Sequence, residues 1–242
     1  MEKIKRTFFR LLVCGMVLTM AVCCFNTVSV TADEGEECPN VIYLTFDDGP
    51  SFVTTDKILD VLKEKGIKGT FFVVGCKIQE REHILKRIYE EGHSIGLHSY
   101  THIAKKVYGS HEGFMEEMNK TGEAVYSVVG IYPKILRFPG GSKPFLNAAL
   151  LDKLHRSGYR IFDWNACIPD GINNQASVEV LYKESKKIIG NSKRVFMLLH
   201  CDQPNENTVK VLPQIIEYYQ SKGYEFKPIT EETSEFYFRF NR

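Results

Sequence analysis

Short apolar stretches alternate with amphipathic stretches along most of this 242-residue chain. Apolar residues three and four apart predict helices, and the short apolar runs between them predict strands. Regular strand-then-helix alternation is typical of parallel sheets with helices packed outside, so we predict an α/β fold. The predicted strands are Val41–Phe46, Gly69–Val74, Ser94–His98, Lys134–Arg137, Tyr159–Phe162, Arg194–His200 and Tyr224–Pro228. The predicted helices are Thr54–Lys65, Gln79–Glu91, Glu112–Val129, Leu146–Arg156, Val178–Ile189 and Val209–Ser221.

Polar side chains stand at the ends of five of these strands. In α/β barrels and doubly wound sheets the carboxyl ends of the strands lie together, and sites assemble there. Residues far apart in sequence can therefore converge at this edge. The residues in question are Asp47 with Asp48, His98, Arg137, Asp163 and His200.

Two adjacent carboxylates, Asp47 and Asp48, close the first predicted strand within the sequence Thr45–Pro50. Burying an unpaired carboxylate costs several kcal/mol, roughly, so such a pair needs a metal, an arginine or a catalytic task. This pair predicts a chemical function at the end of the strand.

Two histidines four residues apart, His98 and His102, follow the third predicted strand. On one helical turn this spacing directs both imidazoles at one ion. Combined with the aspartate pair, it predicts a mononuclear Asp/His/His metal site with a spare carboxylate beside it.

The N-terminus has the form of a secretory signal. Four basic residues precede an apolar run over Leu11–Phe25, which a small-residue cleavage site ending at Ala32 follows. We therefore predict a signal peptide over residues 1–32, an acidic linker over 33–39, and a secreted or cell-envelope protein. An uncleaved membrane anchor is the alternative, although the run is shorter than the ~20 residues of a spanning helix.

Charge and cysteine content exclude several classes of protein. Removing residues 1–32 takes away four basic groups and one acidic group, so the net charge falls from +1 by 3 to −2. Such a chain offers no electrostatic case for binding nucleic acid or anionic membrane. Four cysteines outside the signal are too few for a disulfide framework. Cys167 and Cys201 could form one bridge or remain free thiols.

Five motifs occur in the order found in one family. From about Val41 to Ile229 the chain resembles the polysaccharide deacetylases, carbohydrate esterase family 4, with their NodB homology domain. This resemblance implies a distorted (β/α) barrel of about seven parallel strands with outer helices, over a catalytic domain at residues 40–242. The motifs are Thr45–Pro50 (TFDDGP), His98–His102 (H-[ST]-x-x-H), Arg137–Gly140 (R-x-P), Asp163-Trp164 (the end of D-x-x-D-W) and Leu198–His200 (L-x-H).

The metal roles implied by the resemblance agree with the chemistry of amide hydrolysis, which needs a metal, a base and an acid. Asp48, His98 and His102 are the expected ligands of one divalent ion, zinc first, with cobalt, manganese or nickel as alternatives. Successive side chains leave an extended strand in opposite directions, so Asp47 is expected to be the free carboxylate and the general base.

The remaining roles also follow from the resemblance. Arg137 is expected to orient Asp47, and His200 to be the general acid, with Asp163 as the partner that keeps it protonated. The Gly140 N–H is a candidate oxyanion donor. Trp164 and Leu198 are candidates for the acetyl-methyl pocket, although either residue could equally belong to the core.

The sequence departs from the family pattern at two positions. Arg160 stands where the fourth motif usually begins with aspartate, and Asp170 is a residue that could compensate. Gly140-Gly141 replaces the tyrosine that many members carry after R-x-P, so a backbone donor survives there and an aromatic wall does not.

The predicted function is deacetylation of a cell-wall polysaccharide, with peptidoglycan GlcNAc or MurNAc as the leading substrate. One alternative is an O-acetyl esterase acting on xylan-type polymers, and another is an inactive wall-glycan-binding relative. The presence of all motif residues argues against the inactive relative. We expect a polysaccharide as the binding partner, no nucleic acid, no obligate protein partner and a monomer.

Overall fold

The computed structural model describes residues 40–190 and 193–239. The predicted signal peptide and linker lie outside these residues. Within the described ranges, no helix has both the length and the apolar character required to cross a membrane.

A parallel sheet forms the centre of the fold. Its strands are β1 Val41–Gly49, β2 Thr70–Val73, β3 Ser94–Leu97, β4 Ile135–Leu136, β5 Arg160–Ile161, β6 Ala166–Cys167, β7 Arg194–His200 and β8 Glu225–Phe226. They lie side by side in the order β5-β4-β3-β2-β1-β7-β6, and β8 pairs with the start of β1, before β2 joins that strand at Thr45. The sheet curls into a half-barrel, which confirms the predicted α/β class and its parallel strands.

Seven α-helices are described in the residues between these strands. Side-chain caps begin several of them: Ser110 accepts a hydrogen bond from the Gly113 N–H, and Asn147 accepts one from the Leu150 N–H. The helices are α1 Thr54–Glu64, α2 Glu82–Glu90, α3 Ala104–Val107, α4 His111–Val129, α5 Ala148–Arg156, α6 Val178–Ser185 and α7 Glu206–Ser221. Two 3₁₀ helices lie at Gly75–Lys77 and Pro169–Gly171.

Alternation along the central strands decides which side chains reach the site. On β1, Ile42, Leu44 and Phe46 belong to the core beneath the helices, whereas Tyr43 belongs to the core inside the half-barrel. Because strand side chains alternate between faces, Asp47 lies on the inner face with Tyr43. β7 follows the same rule, with Phe196 inside, so His200 also lies on the inner face.

The predicted elements differ from the structure in their ends and in two short segments. β6 was not predicted, because two residues give no periodic signal; it pairs with β7 at Met197 and Leu198. The four-residue helix α3 was missed for the same reason. α6 ends at Ser185 instead of Ile189, because the following residues form an antiparallel bridge between Ile188 and Ala166.

A pair of isoleucines tests where the core lies. Ile215 on α7 is fully buried, whereas Ile189 is 70% exposed. We expect Ile215→Ala to lower the free energy of unfolding by about 2–5 kcal/mol, because it removes buried methyl groups and leaves a cavity. Ile189→Ala should change it by less than about 0.5 kcal/mol. Urea unfolding followed by circular dichroism measures both, and equal losses would contradict this packing.

Candidate active site

The end of β1 presents both carboxylates at one edge of the sheet. Its pairing with β2 is irregular between Asp47 and Gly49, and Asp48 has a φ of 70°. The expectation of opposed side chains on a regular strand is therefore wrong in detail, since the strand bends at Asp48. As a result both carboxylates lie near His98, with its Nε2 3.6 Å from Asp47 Oδ2 and 3.4 Å from Asp48 Oδ1.

The two histidines lie on a loop, which corrects the expectation of a helical turn. Ser99 and His102 have φ values of 66° and 57°, in the left-handed region, and α3 begins only at Ala104. Glu117 of α4 holds this loop: its buried carboxylate accepts hydrogen bonds from the N–H groups of Tyr100 and Thr101, at 2.9 and 2.7 Å. Glu117 gave no recognisable signal in the sequence, because its spacing from the motif is set by the fold.

Asp48, His98 and His102 form a group that fits one metal ion. Their ligand atoms all lie within 4.8 Å of one another, and Asp48 Oδ1 lies 3.1 Å from His102 Nε2. Asp48 Oδ1 is also buried and has no hydrogen-bond partner among the residues that the structure describes, a lack that an ion would satisfy. His98 Nδ1 lies 2.9 Å from the Arg137 carbonyl oxygen, which can only accept, so Nδ1 carries the proton and Nε2 is free to bind metal.

The charges in this group favour an ionised carboxylate. Burial alone would raise the pKa of Asp48, but the contacts with His102 and His98 lower it well below its usual range. The contact with Asp48 in turn raises the pKa of His102. Lys77 donates to the Asp48 backbone oxygen at 2.9 Å and pairs with Asp202 at 3.0 Å, which adds a fixed cation near the strand end.

Arg137 is fully buried and holds Asp47, as the sequence predicted for this pair. Its Nη1 donates to Asp47 Oδ1 at 2.9 Å and to Thr45 Oγ1 at 2.7 Å. The other nitrogens donate to the backbone oxygens of Phe162 and Asp163, at 2.7 and 3.0 Å. A guanidinium with these partners is a rigid positive group beneath the carboxylate.

The partner of His200 is Asp170, and the predicted pairing with Asp163 is wrong. His200 Nδ1 lies 2.8 Å from Asp170 Oδ1, and the His200 N–H donates to Asp170 Oδ2 at 2.9 Å. Thr208 Oγ1 donates to the same Oδ2 at 2.8 Å. Asp170 lies on the 3₁₀ helix Pro169–Gly171, which follows β6.

Asp163 has a different set of partners. Its carboxylate accepts from the N–H and the hydroxyl of Ser142 and from the Phe238 N–H. Burial raises the pKa of Asp163, and these donors offset part of that rise. Asp163 therefore fixes the segment after Gly141 and is not in contact with the imidazole of His200.

The balance of burial and charge leaves His200 protonated at neutral pH. Burial lowers the pKa of His200, but the hydrogen bond and charge of Asp170, with smaller contributions from Asp47 and Asp48, raise it from 6.5 to about 9. The remaining ring nitrogen, Nε2, can therefore carry a proton toward the cavity.

A cavity of about 360 Å³ brings these groups together with the predicted pocket residues. Its lining includes Asp47, Asp48, His98, His102 and His200, together with Gly140, Trp164 and Leu198. Trp164 packs edge-on against Phe238, with ring centroids 5.2 Å apart. Leu198 faces inward from β7, so both apolar side chains form a wall beside the polar groups.

The cysteines that the structure describes are free thiols. Cys167 is exposed at the cavity, and Cys201 is buried with its Sγ 3.3 Å from the Asp47 backbone oxygen. The alternative of a bridge between these two residues is therefore wrong.

Comparisons with known proteins identify the family of this chain. The model of the polysaccharide deacetylase family matches residues 34–162. A peptidoglycan-N-acetylglucosamine deacetylase of Bacillus cereus is 32% identical over 194 residues, 80% of this chain and 70% of the relative. The peptidoglycan-N-acetylmuramic acid deacetylase PdaA of Bacillus subtilis is 31% identical over 199 residues, 81% and 73% respectively. The solved structure of a Streptococcus mutans CE4 esterase is 31% identical with a TM-score of 0.74, covering 80% and 87% of the two chains.

The relatives named as peptidoglycan deacetylases are hydrolases of carbon–nitrogen bonds in amides, and the half-barrel with carboxylates and histidines at its carboxyl edge agrees with that class. The chain belongs to the polysaccharide deacetylase family, carbohydrate esterase family 4, with its NodB homology fold.

The pairing of His200 with Asp170 can be tested by titration. In Asp170→Asn the pKa of His200 should fall well below about 9, because burial is then offset only by the smaller contributions of Asp47 and Asp48. NMR titration of the imidazole measures this shift. Asp163→Asn is the matched control and should leave the pKa near 9; the opposite pattern would restore Asp163 as the partner.

The same shift has a consequence for stability. A histidine whose pKa is higher in the folded state stabilises the protein fully below about pH 6.5, and this contribution is lost as pH rises through about 9. Asp170→Asn should therefore destabilise the protein more at pH 6 than at pH 10. If Asp170→Asn lowered the free energy of unfolding equally at pH 6 and pH 10, the pKa of His200 would not depend on Asp170.

Proposed function

We propose that this protein is a secreted, metal-dependent N-deacetylase acting on GlcNAc or MurNAc units of peptidoglycan. The observation that carries the proposal is one cavity lined by three groups of residues. They are a free carboxylate held by arginine, a protonated histidine held by aspartate, and the cluster Asp48, His98 and His102.

Asp48, His98 and His102 would hold a divalent ion, zinc in our proposal, which would supply Lewis-acid chemistry toward the amide carbonyl and water. Three protein ligands leave coordination positions open, as catalytic sites require. All three ligands line the cavity.

Asp47 takes the proton of the attacking water. Its Oδ1 is occupied by Arg137 at 2.9 Å, so Oδ2 remains for the water. Oδ2 lies 3.6 Å from His98 Nε2, which places the base beside the ligand cluster. The buried guanidinium compensates the charge of the carboxylate and fixes its orientation, so that little reorganisation is needed during the reaction.

His200 donates a proton to the nitrogen of the leaving amine. An amine leaves an amide poorly unless its nitrogen is protonated, so the acid must hold its proton at the working pH. Asp170 meets this need by raising the pKa of His200 to about 9. Register pairing of Asp47 with His200 across β1 and β7 sets the base and the acid side by side.

The acetyl group is held by the remaining residues of the cavity. Trp164 and Leu198 supply the apolar wall for the methyl group, and the Gly140 N–H donates to the oxygen that gains charge. These roles divide the cavity into a polar half for the reacting atoms and an apolar half for the methyl group.

The substrate is inferred from the relatives and from the N-terminus. Relatives at about 30% identity are named for deacetylation of peptidoglycan GlcNAc or MurNAc. A secretory signal over residues 1–32 would deliver the protein to the compartment where peptidoglycan lies.

Release of acetate tests the substrate class. We expect purified protein to release acetate and new amino groups from N-acetylated peptidoglycan, and not to release acetate from acetyl-xylan. Measuring both products with both polymers separates amide from ester hydrolysis. Acetate from acetyl-xylan alone would replace the proposal with the O-acetyl esterase, and no acetate from either would favour the glycan-binding alternative.

The division of roles between the two aspartates gives a further test. Asp47→Asn should keep the metal and lower kcat by about 10²–10⁴-fold, because the general base is lost while the ligands remain. The double variant with His98→Ala and His102→Ala should lose the metal itself. Metal content by mass spectrometry together with kcat distinguishes them. Loss of metal in Asp47→Asn would mean that the roles of the two aspartates are reversed.

A further inference from the structure

The backbone that carries the Gly140 N–H forms a tight turn. The Gly141 N–H donates to the Phe138 oxygen at 2.8 Å, and Gly140 has a φ of 75°. With Pro139 and Gly140 at its two central positions, this is a type II β-turn. The peptide group between those two residues is the central peptide of the turn.

The central peptide of such a turn can point in either of two directions. Type I and type II turns have similar ends and differ by a flip of this group, and glycine accepts the backbone angles of both. A flip would exchange the positions of the Pro139 oxygen and the Gly140 N–H. An oxyanion donor on this peptide therefore requires a contact that fixes its direction.

Tyr108, the residue that follows α3, makes such a contact. Its hydroxyl donates to the Pro139 oxygen at 2.6 Å, the oxygen of that same peptide group. The two ends of a trans peptide point in opposite directions, so the N–H leaves the side away from Tyr108. Gly140 lines the catalytic cavity, and among the described residues no acceptor takes its N–H.

The phenol ring is itself firmly placed. It stacks on Phe145, with ring centroids 3.5 Å apart and planes 2° apart, and it lies near Phe114 and Phe138, at 6.2 and 6.4 Å. Burial raises the pKa of Tyr108, so the hydroxyl keeps its proton and acts as a donor. The rings of Phe145, Phe114 and Phe138 thus fix the position of the Tyr108 ring, whose hydroxyl contacts the Pro139–Gly140 peptide.

We propose that Tyr108 is a positioning residue for the oxyanion donor, fixing the Pro139–Gly140 peptide so that the Gly140 N–H faces the cavity. This inference rests on the proposed function, in which that N–H meets the developing charge. The hydrogen bond to the carbonyl also polarises the peptide group and strengthens its N–H as a donor.

Tyr108→Phe removes the hydroxyl and keeps the ring. We expect kcat to fall about tenfold, less than the ~10²–10³-fold cost of losing an oxyanion donor outright, with KM and metal affinity unchanged. The ¹⁵N resonance of Gly140 should move upfield, because its peptide loses polarisation, while the resonance of Gly158 should stay in place. Tyr219→Phe is the matched control, since its hydroxyl donates to the Ser185 backbone oxygen at 2.8 Å outside the cavity lining.

A second variant separates positioning from general stability. Gly140→Ala disfavours the positive φ of the turn and should lower kcat by itself. Adding Tyr108→Phe to Gly140→Ala should then lower kcat by a smaller factor than Tyr108→Phe does alone, because both changes release the same peptide.

Unchanged kcat and an unmoved Gly140 resonance in Tyr108→Phe, or losses equal to those of Tyr219→Phe, would overturn the role of Tyr108. Wild-type protein that releases no acetate would overturn the proposed function, while the Gly140 resonance would still report on the contact.

Discussion

A buried guanidinium holds together the edge of the sheet on which the site is built. Arg137 directly follows β4. Its guanidinium donates hydrogen bonds to backbone oxygens just after β5 and to two side chains of β1. It also lies over the ring of Phe72 on β2, 4.3 Å from the ring centroid. Removing a cation of this kind would leave Asp47 as an unpaired buried charge, which costs several kcal/mol, roughly. The position of Asp47 and the integrity of the half-barrel therefore depend on the same side chain.

The sequence predicts most of the fold and the ligand cluster for a clear physical reason. Apolar periodicity reports burial directly, and parallel strands bring their carboxyl ends to one edge, so Asp48 and His98 had to lie near each other. The local path of the backbone was less accessible. Ser99 and His102 have a left-handed backbone conformation that turns the chain between the two histidines, and apolar periodicity does not predict such residues.

The partner of His200 shows why side-chain contacts are harder to predict than elements. Asp163 and Asp170 are both buried acids, and the motif order favoured Asp163. The choice depends on β6, a two-residue strand, and on the 3₁₀ helix behind it, which direct Asp170 toward β7. The carboxylate of Asp163 instead accepts hydrogen bonds from Ser142 and Phe238. Only the three-dimensional register of these short segments distinguishes the two acids.

The pairing of Asp47 with His200 across neighbouring strands has a consequence for how the site is built. Adjacent strands in any sheet are about 4.8 Å apart, a spacing set by backbone hydrogen bonds and not by side chains. The backbones of Asp47 and His200 thus inherit their separation from the sheet itself. The Pro169–Gly171 segment and the turn at Gly140 do not set that distance, but each holds a group of the cavity: Asp170 beside His200, and the Gly140 N–H. The sheet therefore sets the spacing of Asp47 and His200, whereas a loop outside the sheet, the one that carries Asp170, sets the protonation of His200.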